Sequence, residues 1–221
     1  MKLNSLTAVM HPQFWHKKWE SGILGFHRSQ PNPSLVKYIE GLGLAAQSRV
    51  FVPLCGKSRD IDWLLSKGYR VVGVELSVIA IQQLFNRLSI EPAISTKGAI
   101  TCYSASNIDI LVGNIFDATK ALVGSVDLIY DRASLVALPP QMRNQYTAHL
   151  LDITAKAPQL LMVFTYEQSL MEGPPFSINS DEIMRHYGEY YDLSRIESTA
   201  VKGGLKGKVE AQKDVWLLQT A

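Results

Sequence analysis

Apolar residues along the chain switch period in a regular way. From residue 49 onward, short β-branched runs alternate with stretches where apolar side chains recur every three or four positions. Residues 49–52 (RVFV) and 70–75 (RVVGVE) read as buried strands. Residues 159–166 are apolar almost throughout, as a central parallel strand should be. Between the first two strands, residues 58–67 set Ile61, Leu64 and Leu65 on one helical face, and Gly68 closes that helix. Ser77 caps a second helix running to about Leu88, with Ile81, Leu84, Phe85 and Leu88 at helical spacing. Residues 100–104 and 108–112 flank Ala105-Ser106-Asn107 and read as a hairpin feeding a third core strand. Residues 126–130 make a fourth strand and residues 140–156 a long helix.

Alternating strands and helices imply right-handed crossovers and a mostly parallel sheet with both faces covered. The end of the chain differs. Residues 191–201 and 209–220 are two extended runs joined by a Gly/Lys loop at 202–208, which predicts an antiparallel hairpin. A doubly wound, mostly parallel sheet of seven strands with a terminal antiparallel hairpin resembles the class I methyltransferase form of the Rossmann-like fold. Before the sheet lie about 48 residues, with a helix at 12–20 carrying Phe14, Trp15 and Trp19 and a second helix opened by Asn32 as cap and Pro33 at its first position. Two tryptophans on one short helix must cover something, either the sheet or a ligand. The whole chain, 1–221, reads as one domain, with residues 1–48 as a helical lid or preface and 49–221 as the sheet core.

Composition narrows the function. The chain has 221 residues, 47% apolar and 19% charged, an ordinary globular balance rather than a disordered one. A net charge of +2 disfavours a dedicated nucleic-acid binder, which would carry a strongly basic face. Cys55 and Cys102 are too few for a disulfide framework or a zinc site. His11, His16, His27, His149 and His186 show no metal-ligand spacing, so no metal is expected. Polar residues interrupt the first ten positions, which do not read as a secretory signal, and no apolar run has membrane-spanning length. A reduced, cytoplasmic protein is the expectation.

In open parallel sheets ligands bind beyond the carboxyl ends of the strands. After the first strand comes Pro53-Leu54-Cys55-Gly56-Lys57-Ser58. Its Gly-Lys-Ser ending lacks the earlier glycine of a phosphate loop, because position 51 is Phe. One glycine also falls short of the three in a dinucleotide turn. A ligand without a pyrophosphate needs only a tight turn and exposed backbone. Glu75 ends the second strand, 21 residues after Leu54, where a carboxylate can accept from both hydroxyls of a ribose; capping the Ser77 helix is its plainer use. Ile115, after the third strand, offers a surface for an adenine ring beside Asn114. Asp131 and Arg132 follow the fourth strand, either as a functional pair or as a local ion pair that also caps the next helix.

These residues belong to longer segments. FWHKKWESGILGFH (14–27), VFVPLCGKSRDIDWL (50–64), GYRVVGVELS (68–77), NIFD (114–117), DLIYDRASLVAL (127–138) and GPPF (173–176) resemble the thiopurine S-methyltransferase family, its bacterial members most closely. The resemblance runs in order over nearly the whole chain. It implies S-adenosyl-L-methionine as methyl donor, a small aromatic or heterocyclic thiol as acceptor, no membrane partner and a monomer. Carried over by position, Trp15, Trp19 and the stretch to Phe26 would cover the donor, with Leu54, Glu75, Ile115 and Arg132 beside it. Bacterial relatives are also linked to methylation of selenium and tellurium compounds. The loop at 202–208 is shorter and less aromatic than in the animal enzymes, and a second acceptor-side arginine has no clear counterpart.

Methyl transfer to a thiol needs little acid–base machinery, so no obligatory catalytic residue is expected. Holding the two reacting centres in line is the main contribution, with Arg132 favouring the thiolate and Trp15 or Trp19 forming part of an aromatic cage. Two other readings stand beside it: a non-catalytic sensor of an adenosine ligand or an interaction protein on the same fold, and a nicotinamide-dependent oxidoreductase, which the missing glycines oppose.

Overall fold

The computed structural model describes residues 11–22, 24–25 and 27–220. They fall into two compact units: residues 15–128, and residues 129 onward together with the described residues before 15.

The first unit begins in helix α1 (Pro12–Ser21), where Trp19 alone is buried among the ten residues. Helix α2 (Pro33–Tyr38) starts as the sequence predicts, with the Asn32 side chain accepting from the Ser34 N–H. Five strands follow: β1 (Arg49–Val52), β2 (Arg70–Glu75), β3 (Ala93–Lys97), β4 (Ile100–Ala105) and β5 (Ile108–Val112). Their order is β3-β4-β5-β2-β1. The pairs β1–β2 and β2–β5 are parallel, whereas β4 runs antiparallel to β5 and β3 to β4. Val50, Phe51, Val72 and Val74 are fully buried, as are Ile61 and Leu64 of α3 (Arg59–Ser66) and Ile81 and Leu84 of α4 (Val78–Leu88). Ser58 and Ser77 cap these helices with their side chains. Arg87 of α4 then straps the turn after β1. Its guanidinium pairs with Asp62 at 2.6 Å and donates to the carbonyls of Lys57 and Ser58.

The second unit carries β6 (Leu128–Arg132) from Ile129 on, β7 (Gln159–Thr165), β9 (Gln212–Gln219) and β8 (Asp192–Ala200) in that order. β6 and β7 are parallel; β9 runs antiparallel to β7, and β8 antiparallel to β9. Helix α5 (Lys120–Val123) belongs to the first unit, while α6 (Pro140–Ile153) and α7 (Ser180–Tyr187) belong to the second.

Several expectations need correction. Among the described residues the strands number nine, five in one unit and four in the other, not seven. β4 is the first arm of the expected hairpin with β5, so the strand that the reading lacked is β3. Every residue of β3 is exposed, so Ala93–Lys97 has no buried face from which a period could be read. β6 runs two residues further than expected and includes Asp131 and Arg132. Helix α7 has no counterpart among the sequence expectations, although Asn179 as cap and Asp181 and Glu182 in its first turn are ordinary start signals. The Gly/Lys loop at 202–208 also packs: Leu205 within it and Val209 just after it are buried against Tyr166, Phe164 and Met171, and Lys206 donates to the Pro174 carbonyl at 2.6 Å.

Candidate functional site

The site in the first unit is built where β1 and β2 end. Leu54 takes a left-handed φ of 44°, a conformation that costs a branched side chain energy and clusters at ligand sites. Gly56, at φ 52°, completes the turn. The Cys55 N–H returns to the Val74 carbonyl at 2.9 Å, which holds the turn against the end of β2. Space is tight. A Cβ on Gly73 would lie 2.8 Å from the Cys55 sulfur, and one on Gly56 would lie 2.9 Å from the Trp19 ring. Glycine is therefore required at both positions for approach, and at Gly56 for conformation as well.

Glu75 is the centre of this arrangement. It is only 5% exposed. One carboxylate oxygen accepts from the Gly56 N–H and the other from the Ser77 N–H, both at 2.8 Å. The Leu76 N–H and the Trp19 side chain also donate to it. Burial raises its pKa, and the four hydrogen bonds oppose that rise without cancelling it. Burial likewise pushes the Cys55 thiol well up, helped by the Glu75 charge, so Cys55 is a packed thiol rather than a nucleophile. Trp19 lies against the Gly56 backbone, and the Lys57 ammonium stands 5.9 Å from its ring centroid.

Of the residues carried over by resemblance, Trp19 and Glu75 meet at the turn that Leu54 shapes. Trp15 sits one helical turn before Trp19 and is half-buried. Ile115 is buried in a short helical turn capped by Asn114, directly after β5, whose Val112 pairs with Glu75 and whose following Gly113 N–H donates to the Glu75 carbonyl. Phe26 lies outside the described residues. Among the described residues, no group of three or more His, Cys, Asp or Glu side chains could hold a metal ion.

In the second unit, Arg132 is half-buried at the carboxyl end of β6, and Ala133 beside it has a left-handed φ of 65°. The preceding Asp131 is fully buried. It accepts from the Tyr146 hydroxyl at 2.7 Å, from the Leu135 N–H at 3.1 Å, and from both the N–H and the hydroxyl of Ser134. Burial raises its pKa to about 6 against these donors. Sequence reasoning singled out Asp131 and Arg132 but missed Tyr146, because a tyrosine in mid-helix carries no signal of what it will meet.

Known proteins supply the frame for these two strand-end clusters. The family model described as thiopurine S-methyltransferase matches residues 10–219. A thiopurine S-methyltransferase of Xanthobacter autotrophicus is 49% identical over 213 residues, covering 96% of this chain and all of that protein. One from Teredinibacter turnerae is 50% identical over 209 residues, covering 95% of this chain and 97% of that protein. Among solved structures, magnesium protoporphyrin IX methyltransferase of Synechocystis with bound S-adenosylmethionine superposes with a TM-score of 0.67, at 11% identity over 99% of this chain and 98% of that one. At that identity the superposition speaks for the fold, whereas the two bacterial relatives match from end to end. The chain belongs to the thiopurine S-methyltransferase family and is an S-adenosyl-L-methionine-dependent methyltransferase.

Proposed function

We propose that the protein methylates the sulfur of small aromatic or heterocyclic thiols, thiopurine-like in shape, with selenium and tellurium compounds as further acceptors. The relatives' name, thiopurine S-methyltransferase, supports this acceptor class. The observation that carries the donor side is the Glu75 carboxylate, ringed by three backbone N–H groups and one tryptophan.

The donor supplies a methyl group on a sulfonium. Glu75 suits its ribose because a carboxylate accepts from hydroxyls, and with three of its positions held by backbone N–H groups the one that Trp19 fills is left for a ribose hydroxyl. The three backbone donors are fixed by the turn and by the start of α4. The Trp19 indole is the one side-chain donor of the four and comes from a separate element, helix α1, so it is the donor that gives way to the ribose. The residues fit the ligand on these grounds. Leu54 and Ile115 offer apolar walls, Trp15 and Trp19 cover the site as a lid, and Arg132 favours the acceptor thiolate. In the transfer, the thiolate pair forms the new C–S bond as the methyl–sulfonium bond breaks, and the thiol proton goes to solvent. No side chain has to take that proton, because aromatic thiols ionise readily near neutral pH.

The whole chain acts as one methyltransferase domain in this reading, and its two buried, free cysteines suit a reducing, cytoplasmic setting. Calorimetric titration with S-adenosylhomocysteine, followed by a radiolabelled methyl-transfer screen over aromatic thiols, selenols and tellurium species, tests it. Binding with a methylated aromatic thiol is expected. Binding without product from any acceptor would leave a sensor of an adenosine ligand instead.

A further inference from the structure

The turn after β6 places Arg132 between two fixed points. On one side is Asp131, fully buried and paired in register with Leu161 of β7. On the other is Ala133, whose left-handed φ of 65° redirects the chain into Ser134 and Leu135. Successive side chains of a strand point to opposite faces, so Asp131 turns away from the face that Arg132 takes.

An acid at this position with a raised pKa invites a general-base role. Its hydrogen bonds argue against one. Two donors come from Ser134, one from the Leu135 N–H and one from the Tyr146 hydroxyl. A carboxylate has about four acceptor positions, so Asp131 keeps none for an acceptor proton. Tyr146 is itself fully buried on α6, and no turn of a surface helix frees it.

We propose that Asp131 and Tyr146 are positioning residues that act through Arg132. They clamp the left-handed turn to α6 and so fix the direction in which the guanidinium is presented to the acceptor thiolate. A left-handed alanine persists only where its surroundings over-determine it. Here the Leu135 N–H and the Tyr146 hydroxyl converge on one carboxylate, spanning the strained residue from Asp131 to Leu135. Removing the Tyr146 hydroxyl frees one arm of that clamp while leaving the ring to fill its place.

The acceptor role of Arg132 is part of the proposed function, so the test has two readouts. Tyr146→Phe is expected to raise the KM for an aromatic thiol about tenfold, the scale of one hydrogen bond to a charged group. The dissociation constant for S-adenosylhomocysteine should stay within about twofold, and Asp131→Asn should be milder than Asp131→Ala because an amide oxygen retains part of the clamp. The second readout needs no acceptor: phenylglyoxal modification of Arg132, followed by peptide mass spectrometry, should change several-fold in rate in Tyr146→Phe. An unaltered modification rate in a folded variant would overturn the positioning role. If the wild-type protein methylates no thiol, the proposed function fails, and the modification rate still decides whether the clamp orients Arg132. Equal losses in thiol KM and homocysteine-ligand binding would mark Tyr146 as merely structural.

Discussion

Glu75 and Asp131 are alike in nearly every coarse respect. Each is a buried carboxylate at the carboxyl end of a strand, each lies near a non-glycine residue of left-handed φ, and each receives four hydrogen bonds. They differ in the origin of one donor. For Glu75 the fourth donor is Trp19, on a helix whose other nine residues are not buried. For Asp131 every donor comes from its own turn or from the fully buried Tyr146. A carboxylate with an exchangeable donor can serve a ligand; one with only permanent donors can serve the fold. Residue type and strand position therefore do not separate the two; under the proposed function, the exchange of the Trp19 donor for a ribose hydroxyl does.

The largest break in the comparison is Glu75→Ala. It removes the acceptor for the ribose and strands the Gly56 and Ser77 N–H groups, so the affinity for S-adenosylhomocysteine should fall about a hundredfold, or about 3 kcal/mol. Calorimetry reads this directly. An unchanged dissociation constant would remove Glu75 from donor binding and with it the contrast between the two carboxylates.

Asp131, besides its effect on the acceptor through Arg132, should answer to pH. Its folded pKa of about 6 stands above the unfolded value of about 3.9. The folded state thus binds the extra proton. The stabilising contribution is complete below about pH 4 and is lost as pH rises through about 6. The gap between the folded and unfolded values corresponds to about 3 kcal/mol. Asp131→Asn has no such titration. Between about pH 4 and pH 7 its stability relative to wild type should therefore improve by about 2–3 kcal/mol. Urea unfolding at several pH values checks this, and a constant difference would mean the carboxylate ionises as freely as in the unfolded chain.

Gly56→Ala comes next. A side chain at φ 52° is strained, and its Cβ would press on the Trp19 ring at 2.9 Å. A loss of about 1–2 kcal/mol is expected, seen as a fall of several degrees in Tm with a shift in tryptophan fluorescence. Displacement of Trp19 without strain would lower Tm little. Strain without displacement would leave the fluorescence unmoved.

Much of this contrast is legible in the chain, and the limit has a physical cause. Glu75 announces itself because it ends an unbroken buried strand at a fixed distance from the PLCGK turn, and the caps Asn32, Ser58 and Ser77 carry local chemistry that fixes helix starts. β3 is silent in the sequence because pairing with β4, not burial, makes it a strand. Asp131 and Arg132 read as residues following a strand, yet parallel pairing with Leu161 and Met162 draws both into β6. The partner of Asp131 lies 15 residues away in the middle of a helix. Such a contact is made by tertiary packing, which leaves no mark in local period or spacing.

The smallest expected effect bears most closely on what separates the two carboxylates. Trp19→Phe keeps an aromatic ring over Gly56 but removes the indole N–H. If Trp19 gives up Glu75 when the ribose arrives, the bond is lost from the empty protein only, and the variant should bind S-adenosylhomocysteine within about threefold of wild type, under about 0.7 kcal/mol. Any change should favour binding, because the ligand no longer competes with the indole. Tyr146→Phe makes the matching deletion at Asp131, where the hydroxyl is not exchanged, and its consequence persists in every state of the protein. A loss of tenfold or more for Trp19→Phe would mean that the indole stays on Glu75 with the ligand bound. The two carboxylates would then differ in what surrounds them but not in how permanently they are held.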